Sequence, residues 1–265
     1  MCIVLPHGVL FRGGEEERIR RALVENENID AVIGLPANIF FGTGIPTIVM
    51  VLKKRRPTDN ILIIDASKGF VKEGKSNRLR ACDIRRIVDA YERRRDIERF
   101  CRAVPKQEVR DNGYNLNIPR YVDSSEPAET WDIYATMFGG LPTSEVEALK
   151  PYWDALPDLR ERLFEPAGGS TLRLRVDDIE AAVHDSVAVR AYLDAYGRRF
   201  SDFGMWLFDK LVDEALLVDR ASEEDVLAAE VFGRLEGVPL VDPYDAYQVR
   251  SEEHTSELQS LGRIS

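Results

Sequence analysis

The chain has 265 residues, of which 44% are hydrophobic and 31% are charged, and its formal net charge is −10. This composition excludes a disordered or fibrous protein, and the lack of an apolar run of about 20 residues excludes a transmembrane helix. The N-terminus has no basic segment before its short apolar stretch, which argues against a secretory signal. We therefore expect a globular, cytoplasmic protein with no membrane partner.

The first 66 residues predict the strands of an α/β sheet. Only nine residues, Pro36 to Gly44, separate the second and third predicted strands, which is too short for a parallel crossover. This pair is therefore expected to form an antiparallel hairpin at the edge of the sheet. The predicted elements are strand Cys2–Leu5, helix Glu15–Asn26, and strands Ile29–Leu35, Ile45–Leu52 and Ile61–Asp65.

Residues 67–125 predict a basic connecting segment. Ser67–Arg80 is polar and contains glycine, which is typical of a mobile loop, and Ala81–Ala103 has apolar residues near helical spacing. Arginines in both parts alternate with acidic residues. They indicate either contact with DNA or the ordinary i,i+4 ion pairs of a helix surface.

Residues 126–249 predict an acidic, mainly helical C-terminal region. Residues 250–265 resemble the in-frame translation of a sequencing adapter, so we exclude them from the fold prediction, with a natural polar tail as the alternative. The main predicted helices of the preceding region are Leu149–Phe164, Ile179–Phe200, Gly204–Val218 and Glu223–Leu235.

Charge is distributed unevenly along the chain. Residues 1–125 carry a balance of +6, and residues 126–265 carry a balance of −16. A basic first half is consistent with a surface that faces a polyanion, although the charges could equally solvate two helical surfaces.

Two patterns that often mark a site are given structural interpretations. Phe40–Gly44 contains an F-x-G-x-G pattern, but a strand follows it where a cofactor-binding loop would open a helix. We expect Gly42 and Gly44 to let a hairpin loop turn. The three cysteines lie far apart without CxxC spacing, so we expect free thiols and no metal site.

Several stretches, in order, resemble the modification subunits of type I restriction-modification systems. The combination is more specific than any single stretch. The stretches are Leu5–Gly14, Ile33–Thr47, Ile63–Ser67, Asn112–Val122 and Pro239–Gln248.

This resemblance implies a site-specific DNA adenine-N6 methyltransferase that uses S-adenosylmethionine. It further implies a fold in which residues 1–66 form the C-terminal part of a Rossmann-like methyltransferase sheet. DNA and the specificity and restriction subunits are the implied partners. The chain contains no Pro-Pro pair, and hence none of the Asn-Pro-Pro-aromatic tetrads that such enzymes use. We therefore expect a fragment truncated at both ends, with no catalytic or cofactor-binding residues and no activity of its own.

The resemblance also implies roles for two groups of residues. Phe40 and Phe41 lie in a loop on the target-base side of the sheet and could stack on a flipped adenine, or pack into the core. Lys53, Lys54, Arg55 and Arg56 could neutralise DNA phosphates, or could solvate a strand end. The alternative function is a non-catalytic helical module that docks a specificity subunit or DNA.

Overall fold

The computed structural model describes residues 1–40, 42–125, 132, 135, 137, 139–213, 220–249 and 251, with only the backbone described for 211–213 and 220–223. The chain divides into two compact units, residues 1–127 and residues 128–265. Within the described ranges, no helix combines the length and the apolar character needed to cross a membrane.

The first unit is built on a five-stranded mixed sheet with the strand order β1-β3-β2-β4-β7. β2 and β4 are parallel, while β3 is antiparallel to both β1 and β2, and β7 is antiparallel to β4. The strands are β1 Cys2–Pro6, β2 Ile29–Gly34, β3 Thr47–Leu52, β4 Ile61–Asp65 and β7 Cys101–Val104.

The predicted antiparallel pairing of β2 with β3 is confirmed, but its expected place at the sheet edge is wrong. β3 lies inside the sheet because β1 pairs along its other side, with Val4 opposite Val49. β1 is the edge strand, and most of its residues are exposed. The sequence could not distinguish these arrangements, because strands β1 and β3 pair over a separation of more than forty residues.

Both faces of the sheet are covered by helices. Helix α1, Glu15–Glu25, packs on the face that carries Val32 and Ile63, whereas α2, Ala81–Arg93, packs on the face that carries Ile33 and Ile64. Burying each of these side chains contributes about 1.5–3 kcal/mol to folding. A third helix, α3 Lys106–Asp111, and two 3-10 turns, His7–Leu10 and Ile118–Arg120, complete the unit.

Two predictions for residues 67–104 are corrected. The expected mobile loop contains a hairpin of β5, Val71–Glu73, and β6, Ser76–Arg78. The expected long helix stops at Arg93, because Arg94 adopts a left-handed conformation with φ 46° and its guanidinium turns back to the sheet. After Arg94 the chain makes a turn, in which Ile97 bridges to Cys101, and then enters β7.

The second unit is mainly helical, as predicted, but it also contains a small three-stranded sheet in the order β8-β10-β9. Pro157 ends the predicted helix Leu149–Phe164 early, because a residue that precedes proline disfavours the helical conformation. Ser186 caps a new helix and so divides the predicted helix Ile179–Phe200 in two. The strands are β8 Leu141–Pro142, β9 Phe164–Gly168 and β10 Thr171–Leu174, and the helices are α4 Thr143–Ala148, α5 Lys150–Ala155, α6 Leu159–Leu163, α7 Ile179–His184, α8 Val187–Arg199, α9 Phe203–Asp213 and α10 Arg220–Leu235.

Candidate functional site

The strands β1, β2 and β4 all run in the same direction, so their carboxyl ends meet at one edge of the sheet, called here the carboxyl edge. His7 follows β1, the loop of residues 35–46 follows β2, and Asp65 ends β4. In open α/β sheets, ligands bind outside the carboxyl ends of the parallel strands. The predicted base-stacking loop therefore lies where a ligand is expected.

The loop of residues 35–46, called here the base loop, is closed where it meets β3 by a backbone hydrogen bond. Leu35 N donates to Thr47 O at 2.9 Å and closes the base of the loop. Asn38 has a left-handed φ of 55°, and its Oδ1 would lie 3.1 Å from a Cβ added at Gly44. A side chain at position 44 would therefore crowd Asn38, whereas Gly42, with a φ of 82°, has the turn conformation predicted for it.

Phe40 lies in the base loop with 41% of its surface exposed. An exposed aromatic ring on a constrained loop loses little conformational entropy when a base stacks on it. Phe41, the other predicted stacking residue, lies outside the described residues. Stacking on a base by either ring stays a prediction.

Asp65 organises the middle of the carboxyl edge, a role that the sequence analysis missed. Its carboxylate accepts a hydrogen bond from Ser67 N at 3.0 Å and another from Ser124 Oγ at 2.5 Å. Lys68 Nζ donates to the carbonyl of Ser124, so the backbone at Ser124 is held at the carboxyl edge as well. The pattern Asp-Ala-Ser after an apolar strand is a local signal for such a turn, since aspartate side chains often accept from the backbone two residues on.

His7 also lies at the carboxyl edge, with its ring edge against Phe11 at 5.6 Å between centroids. Burial lowers the pKa of His7, and the negative charge of Asp65 opposes that effect only in part. The imidazole is therefore neutral at physiological pH and can both donate and accept a hydrogen bond.

Away from the carboxyl edge, at the other end of the strands where β2 begins and β3 ends, Asp30 is the centre of a buried polar cluster. Its carboxylate accepts from Tyr91 Oη at 2.6 Å and from Arg94 Nη1 at 3.1 Å, and it pairs with Lys53 Nζ at 2.9 Å. Burial acts to raise the pKa of Asp30, but hydrogen bonds from Tyr91 and Lys53 and the charge of Arg94 outweigh it and lower the pKa. The cluster joins β2, β3 and α2 at this end of the strands.

The four predicted phosphate-contacting residues have different surroundings. The Arg56 side chain is only 1% exposed, and it donates to Glu27 O at 2.6 Å and to Asn60 O at 2.7 Å. Lys53 is engaged by Asp30, whereas Lys54 and Arg55 are exposed. Contact between Arg56 and a phosphate would require those internal hydrogen bonds to break, and phosphate contact by the other three stays a prediction.

The two predicted DNA-contacting groups are not brought together. The base loop leads into the start of β3, and Lys53 follows the end of that six-residue strand. At about 3.3 Å per residue, they are separated by roughly 17 Å along the sheet.

The described residues do not fit S-adenosylmethionine. Such a cofactor is held by a glycine loop that opens a helix after a parallel strand. Gly42 and Gly44 lead into β3 instead, as the sequence analysis predicted. Gly14 does open α1, but Glu15, Glu16 and Glu17 fill its first turn and would repel the carboxylate of the cofactor. In the parts of the chain that the structure describes, no group of three or more acidic, histidine or cysteine side chains could hold a metal ion.

A family model and several known proteins each match about half of the chain. The model of the N-6 DNA Methylase family matches residues 1–130. The MpnII type I restriction enzyme methylase subunit of Mycoplasma pneumoniae is 41% identical over 133 residues, which cover 50% of this chain and 24% of that protein. The MjaVII methylase subunit of Methanocaldococcus jannaschii is 44% identical over 137 residues, which cover 49% of this chain and 24% of that protein.

A solved structure, the type I restriction-modification system methyltransferase subunit from Streptococcus thermophilus, is 54% identical, with a TM-score of 0.46, and covers 46% of this chain and 26% of that one. The family-model match covers just under half of the 265-residue chain and relates residues 1–130 to the N-6 DNA methylases. About half of the chain is similar to the methylase subunits of type I restriction enzymes, which confirms the resemblance seen in the sequence. The chain spans about a quarter of the length of these curated relatives.

Proposed function

We propose that the first unit supplies the target-base side of the catalytic domain in a DNA adenine-N6 methyltransferase, the modification subunit of a type I restriction-modification system. The observation that carries the proposal is the agreement between the boundary of the family match and the boundary of the first compact unit. The family match covers residues 1–130, and the compact unit that presents Phe40 at its carboxyl edge covers residues 1–127.

We further propose that this sheet is the C-terminal part of a larger Rossmann-like sheet. Ile3 and Val4 are exposed on edge strand β1, whose outer side pairs with no strand among the described residues. An exposed apolar edge strand promotes aggregation unless another strand or element covers it. In a polypeptide of the relatives' length, further strands would pair there.

The residues present indicate which parts of the reaction this chain would supply and which it would not. A group that accepts hydrogen bonds from the adenine amine is needed beside the cofactor methyl, and the chain has no Pro-Pro-containing tetrad to supply it. S-adenosylmethionine would supply the methyl group from a site outside the described residues. The chain alone is then an inactive part of the enzyme, and its role is to receive the flipped base.

Phe40 is the candidate for that role among the described residues. An adenine extruded from the duplex loses the stabilisation of stacking on its neighbouring bases. Stacking on an aromatic ring of the protein restores about 1–3 kcal/mol of that stabilisation. The neutral imidazole of His7 and the carboxylate of Asp65 give the same edge polar groups. Phe41 shares the proposed role through its position in the base loop.

A chimera tests the proposal without knowledge of the target sequence of this protein. Residues 1–130 would replace the 44% identical segment of the Methanocaldococcus jannaschii methylase subunit, which would then be combined with its own specificity subunit. We expect transfer of a tritiated methyl group to adenine in DNA, and about 10- to 100-fold slower transfer after Phe40→Ala. Ile19→Ala, which removes an exposed apolar side chain of α1 outside the base loop, is the matched control. A folded, assembled chimera that forms no N6-methyladenine would contradict the proposal.

We also propose, as the alternative function, that the second unit is a helical docking module for the specificity subunit. Val187, Leu193, Met205 and Phe208 are exposed apolar residues on α8 and α9. Such residues are typical of helices that bind another protein. The whole chain should capture the specificity subunit without cofactor, and replacement of Met205 and Phe208 by serine should abolish capture. Retained capture by that folded variant would remove this role from α9.

A cytoplasmic location, where DNA is accessible, completes the proposal.

A further inference from the structure

The hairpin β5–β6 adds a basic element to the carboxyl edge. Lys72 pairs with Asn77 and Glu73 pairs with Ser76, so Gly74 and Lys75 form the two-residue turn. Gly74 has a φ of 62°, as a tight hairpin turn requires at its first central position. Lys75 therefore lies at the exposed tip of the hairpin.

Asn77 fixes this hairpin to the base loop. Its backbone N donates to Asn38 O at 2.8 Å, and its side-chain Nδ2 donates to Ala37 O at 2.8 Å. Asn38 is only two residues from Phe40 in the chain. The hairpin and the proposed stacking ring are therefore held in one local structure.

The hairpin presents positive charge that the described chain leaves uncompensated. Lys72 lies directly opposite Asn77, so both point from the same face of the hairpin, with their Cβ atoms about 5 Å apart. Glu73 lies on the other face and pairs with Arg78 at 3.0 Å. The side chains of Lys72 and Lys75 are exposed, and among the described residues neither side chain forms an ion pair or a hydrogen bond.

We propose that the β5–β6 hairpin binds the backbone phosphates of the DNA strand next to the target adenine, through Lys72 and Lys75. The proposal rests on the function proposed above, since it assumes that the base enters at Phe40. A lysine ammonium is a point charge on a flexible stem, which suits phosphate contact without base recognition. Lys54 and Arg55, beyond the other end of β3, lie too far from Phe40 to hold the phosphates beside the same base.

Paired charge-removal variants of the whole 265-residue chain test this assignment. The affinity for a fluorescein-labelled duplex would be measured by fluorescence anisotropy over a series of KCl concentrations. The variant Lys72→Ala/Lys75→Ala loses two phosphate contacts, so the slope of log K against log salt should become shallower by about 1.8. If the affinities converge near 1 M salt, the loss at 0.1 M salt is about 60-fold.

The control variant, Arg162→Ala/Arg198→Ala, removes the same charge from exposed side chains of the second unit and should keep the wild-type slope. Because all four side chains are exposed, both variants should retain the wild-type far-UV circular dichroism spectrum. Equal slopes in the two variants, or a larger change in the control, would overturn the assignment to the hairpin.

Three further outcomes distinguish the two proposals. A hairpin variant that keeps its DNA affinity but no longer binds the specificity subunit would show that the lysines contact a protein. A hairpin variant that loses DNA affinity, combined with normal methyl transfer by the Phe40→Ala chimera, would contradict the stacking role and leave the hairpin assignment intact. Wild-type chain that binds no DNA at low salt, combined with methyl transfer by the chimera, would contradict the hairpin assignment and leave the proposed function intact.

Discussion

Replacement of Asp30 by asparagine removes the carboxylate that joins β2, β3 and α2. The Asp30 side chain is 4% exposed, and it accepts charge-assisted or short hydrogen bonds from Tyr91 and Arg94. Hydrogen bonds that involve a charged group contribute about 1.5–3 kcal/mol each, and asparagine still accepts one weaker bond. The half-exposed Lys53 adds little, because solvent screens its charge. We therefore expect a loss of about 3 kcal/mol, at the lower end of the range for breaking a buried ion pair.

Hydrogen exchange measures this loss in the first unit separately. Amides in β2 and β4 should exchange about 150-fold faster in Asp30→Asn than in the wild-type chain if they exchange through unfolding of the unit. All three tryptophans, Trp131, Trp153 and Trp206, belong to the second unit, so their fluorescence reports whether that unit is unchanged. Asp59→Asn, at an exposed carboxylate, is the control and should change the free energy of unfolding by less than about 0.5 kcal/mol.

The pH dependence of the same variant checks the cause. The pKa of Asp30 is lowered in the folded chain, so its stabilising contribution is present above the ordinary carboxyl pKa and is lost as the pH falls through the folded value. The difference in exchange rate between the wild-type chain and Asp30→Asn should therefore shrink at pH values below about 4. Equal exchange rates at neutral pH in Asp30→Asn and Asp59→Asn would refute the role given to the cluster.

Three further predictions concern other parts of the first unit and the cofactor. A Cβ at position 34 would lie 2.5 Å from Ile118 Cδ1, so Gly34→Ala should destabilise the first unit by about 1–3 kcal/mol. Denaturant unfolding followed by circular dichroism measures this loss. The control, Gly13→Ala, meets no such contact and should leave the stability unchanged. Hydrogen bonds from Arg110 and Tyr114 lower the pKa of Glu25 to about 2. An NMR titration should show this pKa rising in Arg110→Ala, because the larger of the two effects is removed. Isothermal titration of this chain with S-adenosylmethionine should show no saturable binding, and a micromolar Kd would contradict the account of its glycine loops.

The sequence predicts the centre of the fold well because that part depends on local patterns. The strands β2, β3 and β4 are short apolar runs, and the length of the base loop sets the antiparallel direction of β2 and β3. Strand β7 was missed because Ile97 and Phe100 continue the apolar spacing of α2 past the point where the helix ends. Arg94 ends that helix through contacts with residues more than thirty positions away in the chain, and no local pattern encodes them.

The candidate site shows the same limit. Phe40 could be placed in a loop from glycine spacing and the family resemblance, and its exposure agrees with that placement. A run of four basic residues is typical of a solvated surface, yet Arg56 is buried because backbone carbonyls from two other segments surround it. Lys72 and Lys75 carried no distinguishing signal, since their position beside the base loop depends on a tertiary contact made by Asn77.

Photocrosslinking of the target base tests the central claim most directly. The assembled chimera with residues 1–130 would bind duplex DNA that carries 8-azidoadenine at the methylated position of the Methanocaldococcus jannaschii system. After irradiation and trypsin digestion, mass spectrometry should find the base attached to the peptide of residues 22–53, which contains the base loop. Attachment only to other peptides, in a complex that still methylates DNA, would contradict the claim that this loop receives the adenine.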